Sequence, residues 1–150
     1  MLTDLVLAAF HHLLVFALVS MLVAQSVLLR GRISSDVLSR LGGIDRGYGI
    51  TALALLVVGF LRVIQGIKGE DFYLHNPWFH AKIGAFLLVG LLSVWPTIGF
   101  LRWRKALKAD AAFLPGEREV RRLRAIIGFE LILVALIFAC AAAMARYGGF

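Results

Sequence analysis

Four apolar runs, each about as long as a membrane-spanning helix, limit what this chain can fold into more than any other feature. They cover Leu5–Leu29, Tyr48–Ile67, Phe79–Leu101 and Ala125–Ala145. A helix rises about 1.5 Å per residue, so roughly 20 apolar residues cross a hydrocarbon core about 30 Å thick. A soluble bundle needs a polar face on each helix, recurring every three or four residues. Stretches such as Leu53–Leu61 and Ile83–Leu92 have no such face. Composition agrees: 61% of residues are hydrophobic and 17% charged, where a soluble domain runs nearer half and a quarter. The reading is all-α: an integral membrane four-helix bundle forming one domain, 1–150. No Lys or Arg precedes Arg30 and no small-x-small site closes the first run, so it reads as a helix of the mature protein and not a cleaved leader. The single cysteine, Cys140, excludes a disulfide scaffold. The lack of a polar low-complexity tract excludes disorder.

The formal net charge is +7, which suits either a nucleic-acid binder or a membrane protein with basic loops. The distribution decides between them. Arg30, Arg32, Arg40 and Arg46 fall in the first connection, against Asp36 and Asp45. Arg102, Arg104, Lys105, Lys108, Arg118, Arg121, Arg122 and Arg124 fall in the third, against Asp110, Glu117 and Glu119. The surplus in those two segments equals the whole net charge, and the middle connection has only Lys68, opposed by Glu70 and Asp71. Positive-inside counting places the first and third connections in the cytoplasm, with both termini on the outer (periplasmic) side. The expected location is a bacterial inner membrane, crossed several times. Expected partners are the lipid bilayer and anionic inner-leaflet lipid, with no nucleic acid. Trp78 and Phe79 at one end of the third run, Trp103 at the other, and Tyr147 after the fourth read as interfacial aromatics.

Ionisable groups inside a bilayer are costly and usually face the bundle interior, so the candidate site residues form a short list: His11, His12, Gln25, Arg62, His80, Lys82 and Glu130. His11 and His12 enter the first helix by about two turns, roughly 10 Å deep. Arg62 lies near the outer end of the second run, and His80 and Lys82 open the third. Three helices thus set basic or imidazole groups at matched height. Consecutive helical residues point about 100° apart, so at most one of the two histidines faces a central site; His11 shares a stripe with Gln25 and His12 one with Ser26, and spacing does not choose between them. Neutral imidazole is a common iron and metal ligand, which makes His11, His12 and His80 candidate metal ligands, set against a purely interhelical hydrogen bond. Clustered cations suit a carboxylate, a propionate or a quinone head group, set against snorkelling to the interface for Lys82 and His80. Glu130 reads either as an ion pair with Arg124 or Arg46, or as a proton-exchanging group. Gly59, Gly84 and Gly90 read as helix-packing positions, Pro96 as a kink, and Cys140 as packing. Only Met21 and Met144 offer thioethers within the helices, which counts against a copper site.

The order of features resembles a known group: a histidine early in helix one, ValLeuSerArgLeu at 37–41, TrpPheHisAlaLys at 78–82 opening helix three, and ArgArgLeuArgAlaIleIleGlyPheGlu at 121–130 opening helix four. The chain resembles a family of small four-helix bacterial membrane proteins without assigned function, similar in turn to the HemJ-type protoporphyrinogen oxidases and the CopD domain. The resemblance implies haem b as cofactor, with His12 or His11 as one axial ligand and His80 or Lys82 as the other. Joined to the cation cluster, it points to a redox role on a porphyrin or quinone, with Lys82 and Arg62 as the candidate catalytic residues; Arg62, by its depth in the second run, would hold a propionate or an anionic substrate. Arg124 and Glu130 correspond loosely to a basic-acidic pattern opening helix four. The tryptophan-rich stretch that follows the helix-one histidine in the oxidases is replaced here by ValPheAlaLeuVal, and no Asn precedes Glu130, so the haem fold carries over more readily than the oxidase activity. A second copy of the chain, or a protein of respiration or haem metabolism, is the protein partner such a role would call for. The contrasting reading is a non-enzymatic accessory or permease-like subunit whose polar residues only hold helices together.

Overall fold

In the computed structural model, which describes residues 2–65 and 75–146, four long helices form the bundle. They are α1 (Leu2–Arg30), α2 (Ser35–Gln65), α3 (Pro77–Ala109) and α4 (Glu117–Arg146). Lys68, Glu70, Asp71 and Tyr147, invoked above, lie outside the described residues. Helix α1 packs on α2, α2 on α3, α3 on α4, and α4 back on α1, with no diagonal contact among the described residues. Successive helices alternate in direction. The start of α1, the end of α2, the start of α3 and the end of α4 therefore share one end of the bundle, while the basic segments share the other.

Each helix outruns its apolar stretch, and α2 does so most. It begins at Ser35, not Tyr48, so most of the segment read as a loop is helical. Two features explain this. Ser34 Oγ accepts the backbone N–H of Val37 at 3.3 Å, satisfying one of the donors a helix start leaves open. Beyond it, Leu38, Leu41, Asp45 and Tyr48 are buried at alternating spacings of three and four, so the segment has a core-facing stripe despite its charges. The Gly42-Gly43 pair sits inside this helix. Similar stripes bury Leu18, Leu22, Gln25 and Leu29 on α1, and Val120, Leu123, Ile127, Glu130 and Val134 on α4. On α3 the start is sharper. Asn76 Oδ1 accepts the Trp78 N–H at 3.0 Å, and Pro77 occupies the first helical position, where no N–H is needed. The helix runs on through a buried Pro96 to Ala109.

The bundle is apolar on its outside. In the most apolar window of each helix only 11%, 17%, 28% and 28% of residues are buried. Leu5, Phe16, Leu53, Phe60, Leu91 and Ile132 are among many large side chains that face outward. Such a belt would be insoluble in water and is at home in lipid. The four helices are each long and apolar enough to span a membrane.

Three packing expectations need correction. Gly84 and Gly90 have open space where a side chain would begin, so they are not helix contacts. The close approaches are at Gly99, where a Cβ would come 2.7 Å from Leu123 Cδ1, and at Gly47, 3.3 Å from Met21 Sδ. Trp103 is not an interfacial residue: it is buried at 2% exposure, edge-on to Phe100 with ring centroids 5.6 Å apart. The α3 helix extends nearly two turns past it, to Ala109. The third correction concerns Arg124, whose Nε donates to the Leu29 carbonyl at 3.0 Å and whose Nη2 donates to the same oxygen. A cation thus closes the carbonyl end of α1, and Arg124 pairs with that backbone, not with Glu130. Cys140 is free and buried, in keeping with a packing role.

Because Leu123 is itself buried, Gly99→Val forces overlap that a packed interior relieves only by shifting α3 from α4. It is expected to cost about 1–3 kcal/mol in SDS-induced unfolding, whereas Gly90→Val stays within about 0.5 kcal/mol of the parent.

Candidate functional site

Two groups of polar side chains occupy the bundle, one at each level. The first lies at the end that holds the chain termini. His11 sits on the same α1 stripe as Leu18 and Gln25, so it turns inward and lies over Gly59 of α2. A Cβ at that glycine would meet the His11 ring Cε1 at 3.7 Å. This gives Gly59 its packing role: it leaves room for the imidazole. His11 Nδ1 is buried with no hydrogen-bond partner, and so is Arg62 Nε, one turn further along α2. Half-buried Lys82 reaches in from α3; its charge and that of Arg62 act on His11 and on one another. Three helices therefore contribute to one cationic cluster. Its desolvated nitrogens lack acceptors, an uncommon and costly condition in a folded protein.

The neighbouring candidates fall outside that cluster. His12 faces outward, and its Nδ1 donates to the Ala8 carbonyl one turn back at 2.6 Å. Its ring stands perpendicular to that of His11, with centroids 6.0 Å apart. His80 is exposed and meets the Phe79 ring edge-on at 5.8 Å. Lys82 Nζ lies 5.7 Å from the same Phe79 ring centroid, a cation–π distance. Among the described residues, no three His, Cys, Asp or Glu side chains come together as a metal-holding group.

The second group lies deeper, toward the basic end, and sequence reasoning found only part of it. Asp45 of α2 is 8% exposed. Its Oδ1 accepts from Thr97 Oγ1 of α3 at 3.1 Å and from Gln25 Nε2 of α1 at 3.4 Å. One turn along α2, the Tyr48 hydroxyl is 3.2 Å from Ser93 Oγ of α3. Ser93 in turn donates to the Val89 carbonyl at 2.8 Å. Glu130 of α4 is 1% exposed and lies beside Ser93, within electrostatic reach of Asp45. Its Oε1 has no partner. All four helices thus meet in one polar layer.

Gln25 and Glu130 were visible as intramembrane polar residues. Asp45, Tyr48, Ser93 and Thr97 were missed. Asp45 and Tyr48 were hidden because the basic segment around them looked like a loop. The signal that finds them is the spacing Leu38, Leu41, Asp45, Tyr48, which repeats the core stripe of a helix.

No curated protein and no solved structure matches this chain. Residues 3–149, nearly its whole length, match the family described as "Predicted membrane protein (DUF2214)". With four membrane-length helices and that match, the chain belongs to the DUF2214 family of multi-pass membrane proteins.

Proposed function

We propose that this protein is a membrane haem b protein with a redox role, its cofactor held at the end of the bundle that bears the termini. One observation carries the proposal: an inward-facing imidazole and a guanidinium, His11 and Arg62, both have a buried nitrogen without a partner. These donors fit the group. An unpaired ring nitrogen is what an iron centre takes as an axial ligand, and a guanidinium is the natural partner of a propionate carboxylate. His12 is exposed on the outward face of α1 while His11 turns inward, which favours His11 as the ligand. Lys82, or His80 two residues before it, would be the second side chain to hold the group. Haem, when bound, supplies one-electron chemistry. The residues themselves bind and orient it, and hold cationic charge against its carboxylates or an anionic quinone or porphyrin substrate. The uneven distribution of Lys and Arg supports a topology with the basic end in the cytoplasm, in contact with anionic inner-leaflet lipid, and the termini outside, as in a bacterial inner membrane.

A second reading, an accessory or permease-like subunit without a cofactor, is favoured by the Gln25–Asp45–Thr97 link, which joins three helices without help from any ligand.

An absorption spectrum separates the two. Purified protein given haemin is expected to show a Soret band, lost in His11→Ala and kept in His12→Ala. A wild-type protein without a Soret band, even after haemin is added, overturns the cofactor reading. Orientation has its own test in a Cys140→Ala background with single cysteines at Thr3 or Gly116. A membrane-impermeant maleimide applied to cells with an opened outer layer is expected to label the first and not the second.

A further inference from the structure

The carboxyl groups of Asp45 and Glu130 come from different helices and share the bundle interior, with no cation paired to either among the described residues. The groups that face them can be named element by element. Helix α1 offers Gln25 and Ser26, both neutral; α2 offers Asp45 and the Tyr48 phenol; α3 offers the Ser93 and Thr97 hydroxyls. On α4 itself the nearest cation toward the basic end is Arg124, and its guanidinium is engaged by the Leu29 carbonyl. The ion pairs among the described residues, Arg40 with Asp36 and Arg102 with Glu119, lie on the outer surface.

Proton counting at the hydroxyls separates the roles of the two acids. Asp45 accepts from two donors, Thr97 and Gln25, both at Oδ1; a neutral carboxyl accepts there too, but such donors favour the charged form. Ser93 has one proton and gives it to the Val89 carbonyl. The Tyr48 hydroxyl must then be the donor in its contact with Ser93. No proton is left in that chain for Glu130, although Ser93 Oγ keeps a lone pair that a carboxylic acid can use. Glu130 Oε1, fully buried, is without a partner. Two carboxylates with no cation in a medium of low dielectric are strongly disfavoured.

We propose that Asp45 and Glu130 form a proton-binding pair at the centre of the bundle, in which Glu130 carries the proton and donates it to Ser93 Oγ while Asp45 remains a carboxylate. The ligand is a proton. On release, the carboxyl O–H bond breaks, its electron pair stays on the Glu130 oxygen, and water or a base reaching the layer takes the proton. The layer is independent of the cluster around His11, so this site stands whether or not haem binds.

Infrared spectroscopy of the full chain in liposomes at neutral pH tests the site. The expected result is a carbonyl-stretching band of a protonated carboxyl that shifts in heavy water, disappears in Glu130→Gln and persists in Asp45→Asn. Ser93→Ala, which removes the acceptor but keeps the acid, is expected to move the band to higher frequency; this arm remains readable if Glu130→Gln does not fold. Absence of the band in the wild-type protein, or its survival in a folded Glu130→Gln, overturns the proposal. So does its loss in a folded Asp45→Asn together with its survival in Glu130→Gln, which puts the proton on the other acid. A thermal stabilisation by sodium over potassium, seen in the wild type and lost in Glu130→Gln, also overturns it, because the pair would then hold a metal cation.

Discussion

Lipid tails are as apolar as leucine, so burying a leucine between two membrane helices gains little that facing lipid would not. A bundle whose outer belt and core are equally greasy needs something else to set helix register and neighbour order. In this protein that constraint is the polar layer around Asp45. An aspartate placed in hydrocarbon demands donors, and they arrive from α1 as Gln25 and from α3 as Thr97. One turn along, Tyr48 ties α2 again to α3 through Ser93. The only close-packed glycine on α3, Gly99 against Leu123, lies next to this layer and lets α4 approach near enough for Glu130 to join it.

The ends of the bundle are organised by a different rule, the need to close helix termini. Ser34, Asn76 and Arg124 each satisfy backbone groups that the helices leave open. Arg124 matters most for the interpretation of charge. Its engagement with the carbonyl end of α1 removes the nearest cation from Glu130, so one capping interaction at the interface shapes the electrostatics of the interior. Among the described residues the interior is then divided: the basic side chains of His11, Arg62 and Lys82 gather at the end bearing the termini, and the carboxyls of Asp45 and Glu130 lie toward the basic end. Such a separation is costly to maintain in a low-dielectric medium. It is intelligible if each group has a ligand of opposite charge, an anionic cofactor for one and a proton for the other.

Much of this organisation was legible in the residues. The apolar runs established the four long helices seen among the described residues, and the distribution of Lys and Arg carried a side preference. The matched heights of His11, His12, Arg62, His80 and Lys82 set basic groups on three helices, of which the structure brings His11, Arg62 and Lys82 together and leaves His12 and His80 exposed. The helix-one histidines were ambiguous because each shares a stripe with a polar residue of α1; the ambiguity lifts once Leu18, seven residues beyond His11, is known to be buried. The polar layer was largely illegible, because half of it lies in a charged segment that hydropathy assigns to a loop and because single Ser and Thr residues in apolar runs are too common to signal a site.

By itself, the sequence determined what each segment must avoid: apolar stretches of this length cannot rest in water, and their backbones must hydrogen-bond internally, so helices spanning a membrane were the available outcome. The tertiary structure alone decided which side chains meet. A helix in lipid has no wet face to mark its inner one, so facing is settled by hydrogen bonds and close contacts between residues far apart in the chain, such as Asp45 with Thr97 and Gly99 with Leu123. That is why the four long apolar helices could be read from one dimension, and the polar layer that holds Asp45 and Glu130 only from three.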